Sequence, residues 1–314
     1  MNAVGHACGK VILLGEHAVV YGIPALAVGI DRGARATAAP MERGPSRLFV
    51  KGWDIVVHEN EQGHDLARAF RALLDTTTPM GPRWVEVETD LPPGGGLGCS
   101  AAIGVAIARA VEPHLDDVAL QERAMAWECV FHGNPSGVDA AVAARGGCVL
   151  FRKGHPLEPV RVRGPLHLCI GNSGIASSTK SMVEAVAHLR SRRQQVVDNS
   201  FEAIRTLVSN ARLAIEAGDR FALGRLMDLN QMLLGGLFVS TPEIERMCGL
   251  ARGAGALGAK LTGAGGGGSV VALVASHASA DDVLSAWKAE GFSGFTACVA
   301  PETRARALES EAAP

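Results

Sequence analysis

The residues most able to do chemistry start at Lys10, inside the apolar run of "GKVILLGEHAVVYG" (9–22), with Glu16 and His17 close behind. Lys10, Ile12 and Leu14 share one face of a strand, so the ammonium lies against an apolar layer and demands a partner. Asp139, in the first turn of the helix that follows "HGNPSG", is a candidate, although a helix N-terminus favours a carboxylate for its dipole alone. Beside a lysine such an acid stays anionic and can take the proton of an alcohol. Glu128 in "MAWECVF" needs a cation or a metal if it is buried, and is an ordinary surface charge if it is not. His17 also has a plain reading, an imidazole satisfied by a backbone carbonyl.

Two glycine-rich stretches compete as phosphate sites. "TGAGGGGS" has the dinucleotide-binding spacing at Gly263, Gly265 and Gly268. That fingerprint needs a helix after the loop, whereas "SVVALVA" reads as a strand. "PPGGGLGCSAA" has the right context, with the strand "RWVEVETDL" before it and an apolar helix after it. Its Gly94, Gly95, Gly96 and Gly98 clear side chains from the backbone, and the first helical turn supplies free N–H donors. Cys99 and Ser100 stand where a Walker motif would carry lysine, so this is a different anion cradle, or else a plain glycine turn before a core helix. The Ser100 hydroxyl at the loop–helix junction is placed to join a carboxylate and phosphates around magnesium, which prefers hard oxygen ligands.

The elements that must position these groups follow from periodicity. Short strands are predicted at 10–14, 25–30 and 35–39, then helical spacing in "HDLARAFRALLDT". Helices are predicted near 116–130 and from Val138 to Gly146. After a strand at about 166–172, helical character extends from Ser178 to about Leu234, interrupted near Ala217 and Gly218. Thr241 and Pro242 open another helix, with Ile244, Met247, Cys248 and Ala251 on one face. Strand, turn and strand follow in "AKLTGAGGGGSVVALV", with a last helix and strand over 280–300.

The totals set limits. The chain has 314 residues, 47% of them hydrophobic and 20% charged, with a net charge of −2. That is a globular composition with no whole-chain attraction to nucleic acid or an anionic membrane. Seven scattered cysteines suit neither a disulfide framework nor a thiolate metal site, so a reducing cytoplasm is expected. No export signal or membrane span is expected. A domain boundary is expected near residue 165, dividing the chain into 1–165 and 166–314.

Four blocks, "GKVILLGEHAVVYG", "LPPGGGLGCSAAIGVA", "HGNPSGVDAAVAARGG" and "KLTGAGGGGSVVAL", together resemble the GHMP kinases, and within them the mevalonate kinases. The resemblance implies an α/β fold of two domains. The first, ATP-binding, carries a left-handed βαβ unit; the second is ferredoxin-like with extra helices and closes on the substrate. It implies transfer of the ATP γ-phosphoryl group to the primary hydroxyl of mevalonate. Asp139 would then be the base and Lys10 its partner, Ser100 and Glu128 would hold Mg2+, and Gly94, Gly95, Gly96, Leu97, Gly98, Cys99 and Ser100 would cradle ATP. Glu16, His17 and Thr179 would face mevalonate. A homodimer is the assembly suggested. Phosphomevalonate or homoserine as substrate, or a non-catalytic sensor of the same fold, are the alternatives. Cys99 replaces the first serine of the usual pair, and is expected to offer a site for thiol-reactive reagents.

Overall fold

The computed structural model describes residues 3–78, 81–133 and 135–299. Asn134 of "HGNPSG" and the end of the last predicted strand at Ala300 lie outside them. Contact density divides the chain into two compact units. The first comprises residues up to Lys10, Arg32–Pro93 and Gly98–Gly146; the second comprises Val11–Asp31, Gly94–Leu97 and the chain from Gly147 onward.

In the first unit lie the start of β1 (Ala3–Leu14), the end of β2 (Ala25–Pro40), β3 (Arg47–Val50), β4 (Ile55–His58), α1 (Asp65–Leu74) and β5 (Arg83–Thr89). Their sheet order is β4-β3-β5-β2, with β3 and β5 parallel and the other pairs antiparallel. The connection from β3 to β5 carries β4 and α1. Three helices complete this unit: α2 (Cys99–Val111), α3 (Asp117–His132) and α4 (Val138–Arg145). Every residue of α2 except Ser100 and Arg109 is buried. A helix apolar all round must be enclosed, and α2 packs against α3, α4 and β5.

The second unit holds the rest of β1 and β2, then β6 (Cys148–Phe151) and β7 (Glu158–Pro159). It continues with β8 (Leu166–Asn172), α5 (Thr179–Arg192), α6 (Gln194–Ala217), α7 (Arg220–Gly236), α8 (Pro242–Gly253), β9 (Gly258–Thr262), β10 (Ser269–Val274), α9 (His277–Ala289) and β11 (Ser293–Val299). Its four-stranded sheet has the order β11-β8-β10-β9, antiparallel throughout. With one helical stretch between β8 and β9 and another between β10 and β11, this is the ferredoxin-like arrangement, its first and third strands central.

Local chemistry explains the boundaries. Thr241 caps α8 by accepting a hydrogen bond from the Ile244 N–H, Pro242 takes the first helical position, and the four expected residues are buried. The stretch after "TGAGGGGS" is β10, as expected. Three predicted boundaries differ. β1 begins at Ala3 rather than Lys10, and β2 is one sixteen-residue strand where two short ones were expected. The helical stretch breaks at Arg193 as well as at Gly218. Among the described residues no helix is long and apolar enough to cross a membrane.

Candidate active site

The first unit assembles the polar residues around Lys10. Its Nζ lies 3.0 Å from Asp139 Oδ1, with 3% of the lysine and 34% of the aspartate side chain exposed. Strand β1 buries the lysine stem, and the first turn of α4 presents the carboxylate. Gly98 makes the approach possible. Its φ of +72° belongs to the left-handed region, and a Cβ there would meet Lys10 Cγ at 2.9 Å. This glycine caps α2, so the residue that starts the helix also clears space for the lysine.

Glu128 and Ser100 complete the group. Glu128 is 3% exposed, and burial pushes its carboxyl up to about 7, an effect opposed by a hydrogen bond from Ser100 and by the Lys10 charge. The indole N–H of Trp127 donates to Ser100 Oγ at 3.0 Å, fixing the hydroxyl. His132 Nε2 is 3.7 Å from Glu128 Oε2, and burial holds the imidazole below its ordinary range, toward the neutral form. Glu128 Oε1 is buried with no hydrogen-bond partner. An orphaned carboxylate oxygen beside a fixed hydroxyl is the donor set a hard divalent cation prefers, so these residues fit Mg2+.

Cys99 does not bear out the expected thiol reactivity. It is buried, donates to the Leu91 carbonyl at 3.7 Å, and its thiol is pushed up to about 11 by burial. Since the thiolate is the reactive form, Cys99 is a core residue.

The second unit holds Gly94–Leu97, Glu16, His17 and Thr179. Glu16 is buried and ion-paired through Oε1 with Lys260 of β9, while Oε2 accepts from Asn230 Nδ2 of α7 at 3.2 Å. His17 is buried at φ +59°, and its ring N–H donates from Nε2 to the Ala264 carbonyl at 2.7 Å. Burial holds the imidazole below its ordinary range, toward the neutral form, although the bond to Ala264 opposes this. Thr179 follows the N-cap Ser178 at the exposed start of α5, two residues after Ser177, whose hydroxyl donates to the Gly265 carbonyl.

Lys260, Asn230 and Thr262 were not singled out from the sequence. Lys260 carries the same signal as Lys10, a lysine inside a buried strand, and that signal could have found it. Asn230 sits in "DLNQMLL" with nothing in the pattern to distinguish it.

Comparison with known proteins adds an independent line. Residues 65–147 match the GHMP kinases N terminal domain, and residues 211–293 match GHMP kinases C terminal. The mevalonate kinase of Aeropyrum pernix is 33% identical over 312 residues, covering 94% of this chain and 95% of that protein. That of Archaeoglobus fulgidus is 34% identical over 276 residues, covering 86% and 92%. The crystal structure of L. major mevalonate kinase in complex with R-mevalonate superposes with a TM-score of 0.83 at 30% identity, covering 96% of each chain. The blocks that carry Lys10, Ser100 and Asp139 are thus set in a chain that matches its relatives almost from end to end, and it belongs to the GHMP kinases, within them to the mevalonate kinase family.

Proposed function

We propose that the protein transfers the γ-phosphoryl group of ATP to the primary hydroxyl of mevalonate, with Asp139 as the proton acceptor. Use of ATP follows from membership of a kinase family. The observation that carries the residue assignment is the Lys10–Asp139 pair, in which a buried cation holds a carboxylate that remains open to a ligand.

Phosphoryl transfer asks little covalent chemistry of a protein and much positioning. Asp139 accepts the hydroxyl proton as the oxygen attacks. Lys10 orients that carboxylate and offsets its charge. Gly94–Ser100 brings backbone N–H groups to the phosphates, supported by the N-terminal dipole of α2. Ser100 and Glu128 would hold Mg2+, which when bound supplies charge neutralisation on the transferring phosphate. Glu16, His17 and Thr179 are assigned to the mevalonate side, Thr179 as the exposed contact. We assign residues 1–165 to an ATP-binding domain and 166–314 to a domain that closes on the substrate. Seven free cysteines suit work in the reducing cytoplasm.

The test is turnover by the purified protein with ATP and mevalonate, phosphomevalonate or homoserine. Mevalonate is expected to be phosphorylated fastest. Faster turnover of phosphomevalonate would overturn the substrate assignment, and nucleotide binding without turnover of any of the three would favour a sensor.

A further inference from the structure

Lys260, Asn230 and Gln231 have no part in the chemistry just described, yet the second unit invests them in a buried polar cluster around Glu16. Lys260 and Glu16 are both fully enclosed. The lysine also donates to the Leu261 carbonyl at 2.5 Å. Beside Asn230, Gln231 of α7 accepts from the Leu261 N–H at 2.8 Å and donates to Glu245 Oε1 at 2.8 Å. Two more links join the segment 12–17 to the end of β9. Thr262 Oγ1 accepts from the Ile12 N–H at 3.0 Å and donates to the Ile12 carbonyl at 3.2 Å, and His17 holds the Ala264 carbonyl at 2.7 Å.

What lies beyond these links is the turn 263–268, where Gly263, Gly265, Gly266, Gly267 and Gly268 all have positive φ. Such a run has little conformational preference of its own, so its shape must be imposed by neighbours. The turn is pinned by the Gly266 N–H on the Val239 carbonyl at 2.7 Å and the Gly268 N–H on the Ile175 carbonyl at 2.9 Å. Next to it, Ser269 donates to the Gly95 carbonyl at 2.6 Å, and a Cβ on Gly96 would lie 3.2 Å from the Thr262 carbonyl. The glycine turn and the Gly94–Leu97 part of the proposed phosphate loop thus both adjoin the facing ends of β9 and β10.

A buried ion pair is a poor source of stability, since apolar side chains of similar volume usually serve as well. Its geometry is what apolar side chains cannot reproduce. We propose that Lys260 is a positioning residue for phosphoryl transfer. With Asn230 it holds Glu16, and through that anchor it fixes the turn 263–268 and Gly94–Leu97 in the shape that receives ligands. This rests on the kinase reading above, and it makes the role of Glu16 indirect.

The experiment compares the parent protein with Lys260→Met/Glu16→Gln, which removes both charges, and with Asn230→Ala, which leaves the ion pair in place. Each is measured by thermal melting, by KM and kcat for ATP and mevalonate, and by amide hydrogen exchange over 263–268. The double variant is expected to fold, with KM values raised at least tenfold, a smaller change in kcat, and faster exchange in the turn. Asn230→Ala is expected to shift the same quantities about threefold in the same direction. Folded variants with parental KM and parental exchange would overturn the proposal. So would a double variant that loses kcat alone, since that would make Glu16 a direct participant in the chemistry. If the double variant does not fold, Asn230→Ala decides by the same readouts. Should the parent phosphorylate none of the alcohols, the kinase reading fails, while hydrogen exchange still reports whether the cluster fixes the turn.

Discussion

Lys10 on β1 and Lys260 on β9 are both sealed from solvent and both paired with a carboxylate, yet Asp139 keeps 34% of its side chain exposed while Glu16 keeps none. The difference separates what the two pairs can do. A carboxylate with one face open can exchange a proton with a bound alcohol, and a buried ammonium beside it supplies charge without reaching the ligand. A carboxylate whose oxygens are engaged by Lys260 and Asn230, away from solvent, has no access to a ligand for that task. The contribution proposed for it is mechanical. On the roles proposed above, nearly the same local pattern, a lysine on a buried strand, serves chemistry in one unit and geometry in the other.

The largest effect that would test this contrast is on rate. Asp139→Asn is expected to lower kcat by about 10²–10⁴-fold, the usual contribution of a positioned base, while nucleotide binding and melting temperature change little. A loss of only a few-fold would show that Asp139 is not the base.

Stability should separate the lysines next. Lys260→Met strands the Glu16 carboxylate in the interior and is expected to cost about 3–5 kcal/mol. Lys10→Met leaves Asp139 able to recruit water, so its melting temperature should fall much less while activity collapses. Equal destabilisation of the two variants in a denaturant titration would erase the distinction.

Glu128 adds a pH signature. Its carboxyl rises from an ordinary value of 4.5 to about 7 on folding, so the folded chain binds a proton that the unfolded chain has released across that window. Stability from this group is therefore full below about pH 4.5 and declines as pH rises toward 7. With chelator present, Glu128→Gln should flatten this decline and stabilise the fold at pH 8 by on the order of 2–3 kcal/mol, while impairing turnover. A variant that melts below the parent at pH 8 would contradict the orphaned carboxylate as described.

The smallest effect concerns Cys99. Limited alkylation followed by mass spectrometry should modify the exposed Cys129 before Cys99. Early labelling of Cys99 would mean that the start of α2 opens more readily than its burial implies.

Much of this site was legible in the chain itself. A charged residue in an apolar strand announces that a partner exists, and Lys10 did so. A proline and glycine stretch between a strand and an apolar helix announces a turn into a helix N-terminus, as at Gly94–Ser100. Capping chemistry located the start of α8 to the residue, and the strand after Gly268 argued against a dinucleotide site. These are local consequences of side-chain size, charge and backbone freedom, and they need no knowledge of the fold.

Other features depend on residues far apart in the chain. That Lys10 meets Asp139 is settled by how α4 packs on α2 and α3, and that Glu16 turns inward to Lys260 is settled by the packing of β9 against α7. The exposure of each carboxylate, which decides whether it handles protons or holds backbone, is a property of the packed unit alone. Burial, orphaned oxygens and shifted titration all arise when surfaces distant in sequence exclude water together, and no local pattern encodes that exclusion.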